Sequence, residues 1–121
     1  MKLAVLVVDD EKYMGRLIGR LLRQTAEVIA VTSAVEALEA VESRDFDVIL
    51  CDIHMPATSG VEFYHQLATT KPGSEGNVVF LTGGLFPEDN PEFFEEIDNP
   101  LILKPFGLGE LKEAVNAVSS S

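Results

Sequence analysis

Short apolar runs and helix-spaced apolar residues alternate along this chain. Leu3–Val8 contains no polar side chain, the pattern of a strand covered on both faces. Met14, Leu17, Ile18, Leu21 and Leu22 then recur at helical spacing, predicting a helix. Residues 27–31 and 47–51 read as the second and third strands, 78–81 as the fourth and Leu101–Leu103 as the fifth. Ser33 with Glu36, and Ser59 with Glu62, have capping-box spacing. They open helices that carry Ala37, Leu38 and Val41 in one case and Val61, Tyr64, Leu67 and Ala68 in the other. The polar stretch 71–76 reads as a loop. The fourth helix is short: Asn90 is placed as its N-cap, Pro91 at its first position, and Asp98-Asn99-Pro100 stops it, which leaves a long loop after Thr82. A last helix carries Leu108, Leu111, Val115 and Val118, and residues 119–121 read as a frayed end. Five β-α units in strict alternation predict a doubly wound α/β domain, a five-stranded parallel sheet with right-handed crossovers and five helices on both faces.

Composition narrows the class. The 121 residues, 46% of them hydrophobic, suffice for one core, so a single domain over 1–121 is expected, with no effector domain in this chain. The net charge of −11 argues against direct binding to nucleic acid or anionic membranes and favours basic partner surfaces. One cysteine, Cys51, permits no internal disulfide and suggests a reducing compartment. The apolar run after Met-Lys is interrupted by Asp9, Asp10 and Glu11 too soon for a signal peptide, and no stretch is long enough to span a membrane. A soluble, cytoplasmic protein, a monomer or weak dimer, is expected.

The chemistry-bearing residues stand where strands end. Asp9 and Asp10 follow the first run, Asp52 the third, Thr82 the fourth and Lys104 the fifth. In an open α/β sheet the crevice beyond the carboxyl ends of the strands binds ligands. Two carboxylates 4 Å apart repel by roughly 4 kcal/mol at an effective dielectric near 20, so three together call for a cation. Magnesium answers that need with oxygen ligands and a shell it shares with phosphate. Asp52 is then the natural nucleophile, Lys104 offsets the added charge, and the Thr82 hydroxyl donates to a phosphoryl oxygen. Singly, each has a plainer reading: Asp52 and Thr82 as turn residues, Lys104 as a solvated lysine. Their order at four strand ends favours one shared site.

The ordered set Val7-Val8-Asp9-Asp10-Glu11, Cys51-Asp52-Ile53-His54-Met55-Pro56 with Gly60, Leu81-Thr82-Gly83 and Lys104-Pro105-Phe106 resembles the receiver domain of two-component response regulators and hybrid histidine kinases over essentially the whole chain. Thr82 stands 30 positions after Asp52, and Lys104 22 after Thr82, both usual for that family. The resemblance implies a flavodoxin-like fold with strand order 2-1-3-4-5 and a magnesium-dependent phosphorelay. In it Asp52 accepts a phosphoryl group from a histidine kinase or a histidine phosphotransfer protein. It further implies that Asp10 and Asp52 ligate the ion directly, that Asp9 acts mainly through water, and that the backbone carbonyl of His54, not its imidazole, adds a ligand. A cis bond is implied between Lys104 and Pro105. Such a domain catalyses only its own phosphorylation and dephosphorylation.

Some positions depart from the family pattern. Leu101 stands where an aromatic residue usually couples the threonine to the last strand, so the face formed by the fourth helix, fifth strand and fifth helix is expected to shift little on activation. Together with Thr82-Gly83-Gly84 and the Asp98-Asn99-Pro100 turn, the missing aromatic looks more like receivers attached to hybrid histidine kinases. His54 and His65 are weighed as loop and helix-surface residues, and Cys51 as a small core residue. Two other classes are kept. A haloacid-dehalogenase-type phosphohydrolase needs a second Asp two residues after its nucleophile, where this chain has His54 or Glu11. A phosphorylation-independent pseudo-receiver is disfavoured by the complete acceptor set. A flavodoxin-type electron carrier lacks its phosphate-cradling first loop.

Overall fold

A computed structural model of the chain describes residues 2–55, 57–83 and 91–119. Its strands are β1 (Leu3–Val8), β2 (Ala26–Val31), β3 (Val48–Asp52), β4 (Val78–Thr82) and β5 (Leu101–Leu103). The helices are α1 (Lys12–Leu21), α2 (Ala34–Ser43), α3 (Gly60–Thr70), α4 (Pro91–Glu96) and α5 (Leu108–Ser119). The five strands form one parallel sheet in the order β2-β1-β3-β4-β5, as expected.

Alternation along each strand splits the interior into two layers. Val5, Val7, Leu50 and Leu81 face α1 and α5 and meet Ile18, Leu22, Leu111 and Val115. Leu6, Val8, Ile49, Cys51 and Phe80 face the other way, onto Ala37 and Val41 of α2 and Phe63 and Leu67 of α3. Because both faces are covered, the three central strands show no polar side chain until their ends.

Both serines cap their helices. Ser33 Oγ accepts the Glu36 N–H at 3.2 Å, and Ser59 Oγ accepts the Glu62 N–H at 3.2 Å. The Glu36 carboxylate reaches one residue further back than the motif requires, to the Thr32 N–H at 3.2 Å and the Thr32 hydroxyl at 3.0 Å. The stretch before β4 is not wholly a loop: Ser74–Asn77 makes a 3-10 turn after Gly73, which has φ 99°. Helix α4 begins at Pro91 and ends before Asp98, as expected, while its expected N-cap Asn90 and the loop residues Gly84 to Pro87 lie outside the described residues. Among the described residues no helix is long and apolar enough to cross a membrane.

Candidate functional site

Register brings the strand ends together. Val8 pairs with Cys51, so Asp9 and Asp52, each one position later, are neighbours. Asp52 pairs with Leu81 and Thr82 with Leu103, so Thr82 and then Lys104 continue the same stagger across the sheet. Backbone bonds extend the ladders past the strands, from Asp9 N to Val31 O at 3.2 Å, from Ile53 N to Leu81 O at 2.9 Å and from Lys104 N to Thr82 O at 2.7 Å. The polar groups therefore sit on a backbone fixed by the sheet, the rigid setting a site needs.

Helix α3 closes the site from below. Gly60 N donates to Ile53 O at 2.8 Å, and a Cβ on Gly60 would come within 2.9 Å of both the Asp52 carbonyl oxygen and the Ile53 Cα. Only a glycine allows that approach, which explains physically why a glycine stands eight positions after the carboxylate. In the same connection Ala57 adopts φ 69°, a left-handed conformation unusual for alanine.

Carboxylate oxygens of Asp9, Asp10 and Asp52 lie within 4.8 Å of one another. Asp9 and Asp52 are buried, while Asp10 is exposed. Lys104 Nζ bridges the two buried carboxylates, 2.8 Å from Asp9 Oδ2 and 3.3 Å from Asp52 Oδ2. The remaining oxygens are held by backbone: Glu11 N–H donates to Asp9 Oδ1 at 2.9 Å, and His54 N–H to Asp52 Oδ1 at 2.9 Å. Burial raises the Asp52 carboxyl above its ordinary value. The His54 N–H and the Lys104 charge act against that shift, and the Asp9 charge adds to it. For Lys104, burial works to lower the ammonium, but the Asp9 hydrogen bond and the Asp52 and Asp9 charges outweigh it and the net shift is upward. Thr82 is buried, and its Oγ1 has no hydrogen-bond partner among the described residues. An unpaired buried hydroxyl costs about 1–3 kcal/mol and marks a place where a ligand oxygen belongs.

This donor set suits magnesium. All the side-chain ligands are hard oxygens, one ammonium bridges two of the three carboxylates, and the exposed Asp10 is open to an ion from solvent. Of the expected set, Asp9, Asp10, Asp52 and Lys104 converge by measured distance, and Thr82 joins them by register. His54 is exposed and enters through its N–H. Cys51 is fully buried, and burial first, then the Asp52 and Asp9 charges, push its thiol well up, as befits a core residue.

The family model of the response regulator receiver domain matches residues 5–116. The chain belongs to that family. A probable cyclic di-GMP phosphodiesterase of Vibrio cholerae serotype O1 is 32% identical to this receiver over 112 residues, 93% of the chain and 25% of that protein. The transcriptional regulatory protein SpaR of Bacillus subtilis is 31% identical over 113 residues, 93% of the chain and 50% of that protein. The receiver thus spans a quarter to half the length of these curated relatives. Among solved structures, Vibrio cholerae chemotaxis protein CheY4 superposes with a TM-score of 0.85 at 26% identity, covering 98% of this chain and 99% of that one. The receiver domain of a Pseudomonas aeruginosa sensor histidine kinase, which has a magnesium ion coordinated in its active-site cleft, shares the fold with a TM-score of 0.85 at 21% identity over the whole of both chains.

Sequence reasoning missed a cluster of rings. Phe80 of β4 lies 5.3 Å from Phe94 and 6.1 Å from both Phe93 and Tyr64, and the Phe93 and Phe94 rings are 5.0 Å apart. His65, exposed on α3 as expected, sets its ring 5.4 Å from Phe93. These rings are what attach the six-residue α4 to the sheet.

Proposed function

We propose that this receiver is a magnesium-dependent phosphoacceptor of a two-component phosphorelay, taking a phosphoryl group on Asp52 from a histidine kinase or a histidine phosphotransfer protein. The observation that carries the reading is the convergence of Asp9, Asp10 and Asp52, two of which, Asp9 and Asp52, are bridged by the Lys104 ammonium. An Asp52 carboxylate oxygen attacks phosphorus as the bond to the donor's imidazole nitrogen breaks, leaving an acyl phosphate on Asp52 and a free imidazole. Lys104, anchored by its shorter bond to Asp9, stays beside Asp52 and offsets the charge that arrives. The Thr82 hydroxyl gains in a phosphoryl oxygen the partner it otherwise lacks. The His54 N–H holds the second Asp52 oxygen and so fixes the rotamer of the nucleophile. Magnesium held by Asp10 and Asp52, with Asp9 in support and the His54 carbonyl as a further ligand, supplies neutralisation of the phosphoryl oxygens.

The domain acts on no separate substrate in this reading and catalyses only its own phosphorylation and dephosphorylation. The relatives' different outputs, a probable phosphodiesterase in one and a transcriptional regulator in another, accord with an input module whose task ends with the state of Asp52. The test is incubation with acetyl phosphate and magnesium, read by intact-protein mass spectrometry. One acid-labile phosphoryl group is expected on the wild type, none on Asp52→Asn and none after chelation of magnesium. Equal labelling of wild type and Asp52→Asn overturns the proposal.

A further inference from the structure

The two edges of the sheet are finished differently. Strand β5 is three residues long and runs straight into Lys104 and Pro105, a short strand closed by residue types that keep sheet edges from pairing. Strand β2 lacks these guards. It is six residues long, pairs with β1 in unbroken register from Ala26 to Val31, and contains no Lys, Arg or Pro. Its one charged side chain, Glu27, is neutralised by Arg44 at 2.8 Å. Such a strand offers its backbone to another chain.

Register identifies the open groups. Leu3 N–H donates to Thr25 O at 3.0 Å and Asp9 N–H to Val31 O at 3.2 Å. The odd-numbered residues of β2 therefore turn their N–H and C=O toward β1, and Ala26, Val28 and Ala30 turn theirs outward. Both ends of this outer row are already closed. The Ala26 N–H is taken by Leu22 O at 2.8 Å, and the Thr32 N–H by Glu36 Oε1 at 3.2 Å. Between them the N–H and C=O of Val28 and Ala30 have no strand to pair with, because β2 has only β1 beside it in the sheet. Ala30 is exposed, and a groove of about 560 Å³ bordered by Ala30, Val31, Thr32 and Gly15 leaves room for an incoming side chain.

We propose that β2 is a docking edge for one short extended segment of a basic partner protein, which joins the sheet as a further strand. A row of alternating N–H and C=O groups is the complement of another extended chain, whereas a helix has already satisfied its own. Net charge decides whose chain it is. The edge is neutral and the charged lining of the groove balances, Glu11 and Glu36 against Lys12 and Arg16, so the field of the whole molecule at −11 decides. That field repels a second copy of the domain and attracts a positively charged segment. The inference goes beyond the phosphoacceptor role and stands on the edge strand alone.

The experiment titrates the folded domain with a short peptide of alternating valine and threonine that carries lysines at both ends. One control is the same peptide N-methylated throughout its central stretch, and another carries glutamates in place of the lysines. At ~50 mM salt the lysine peptide should bind and slow hydrogen exchange at the Val28 and Ala30 amides at least tenfold, while the Ile29 and Val31 amides, which face β1, change less. N-methylation should abolish binding, and glutamate flanks should weaken it at least tenfold. Ala30→Pro, which removes an outward donor that the sheet does not use, should also weaken it at least tenfold, as should Val28→Lys, which supplies the missing guard. Should Ala30→Pro lose the wild-type circular dichroism, Val28→Lys and the N-methylated peptide carry the test. Failure of the lysine peptide to bind, equal binding by either control peptide, or protection of Val28 and Ala30 through dimerisation of the free domain overturns the proposal.

Discussion

Asp52 carries a cost that the proposed phosphoacceptor role explains. Its carboxylate is buried at 6% exposure, and burial raises its pKa despite the Lys104 ammonium and the His54 N–H. The folded state therefore holds a proton on Asp52 more tightly than the unfolded chain does. Its stabilising contribution is complete below the ordinary carboxylate value of 3.8 and is lost as pH rises through the higher folded value. At neutral pH the ionised group is a liability. Asp52→Asn removes the charge, retains an acceptor for the His54 N–H and leaves Lys104 its 2.8 Å partner Asp9. Without magnesium at pH 7, the variant should be more stable by about 1 kcal/mol, a few degrees in Tm for a domain of this size. The gain should shrink as pH falls and the wild-type carboxyl takes up its proton, which it does at a higher pH than an ordinary carboxyl. Thermal melts of both proteins across pH test this. A variant less stable than wild type at pH 7 would show that the Lys104 pairing outweighs desolvation.

At the scale of elements, α1 packs tightly on β2 where Gly15 meets Ala30. Gly15 leaves room for Ala30, and a methyl group there would overlap that of Ala30 at 2.5 Å. Replacing a mid-helix glycine with alanine ordinarily gains about 1 kcal/mol, whereas overpacking costs about 1–3 kcal/mol. Gly15→Ala should therefore lose about 1 kcal/mol in urea unfolding, and most of that loss should vanish in Gly15→Ala/Ala30→Gly. Strict additivity of the two single changes would mean that β2, an edge strand, simply moves aside. This contact also marks where the sequence is hard to read. Strand ends are legible because parallel register converts a strand's last residue into a position in space, so Asp9, Asp52, Thr82 and Lys104 could be placed together. Gly15 reads only as a weak helix residue, since nothing local to it announces Ala30. The turn Ser74–Asn77 has too few residues for periodicity and reads as loop. The ring cluster joins Tyr64, Phe80 and Phe93, residues far apart in sequence that meet only once the sheet is folded.

Those rings bear on how a change at Asp52 reaches the rest of the molecule. Leu101 lies opposite Phe80 in the β4–β5 register and has no ring of its own to move, and for that reason β5 and α5 are expected to respond weakly. For α4 the expectation changes. Phe80 and Thr82 are two residues apart on β4 and so face the same side of the sheet. Phe80 touches Phe93 and Phe94, and these hold α4 to the sheet. If, as proposed, Thr82 engages a phosphoryl group, any shift of β4 passes to Phe80, and packed rings move as a unit rather than compress. Beryllofluoride with magnesium, a stable mimic of the phosphorylated carboxylate, should therefore shift the amides of residues 92–96 and of Tyr64 and His65 more than those of Leu108–Ser119. Phe80→Leu should roughly halve the α4 response without preventing beryllofluoride binding, while Leu101→Ala should leave it nearly intact. Two-dimensional amide spectra of the three proteins, each with and without the mimic, decide the matter. Should α5 respond more than α4, or should Leu101→Ala silence α4 while Phe80→Leu does not, the signal runs through β5 and a leucine serves there in place of a ring.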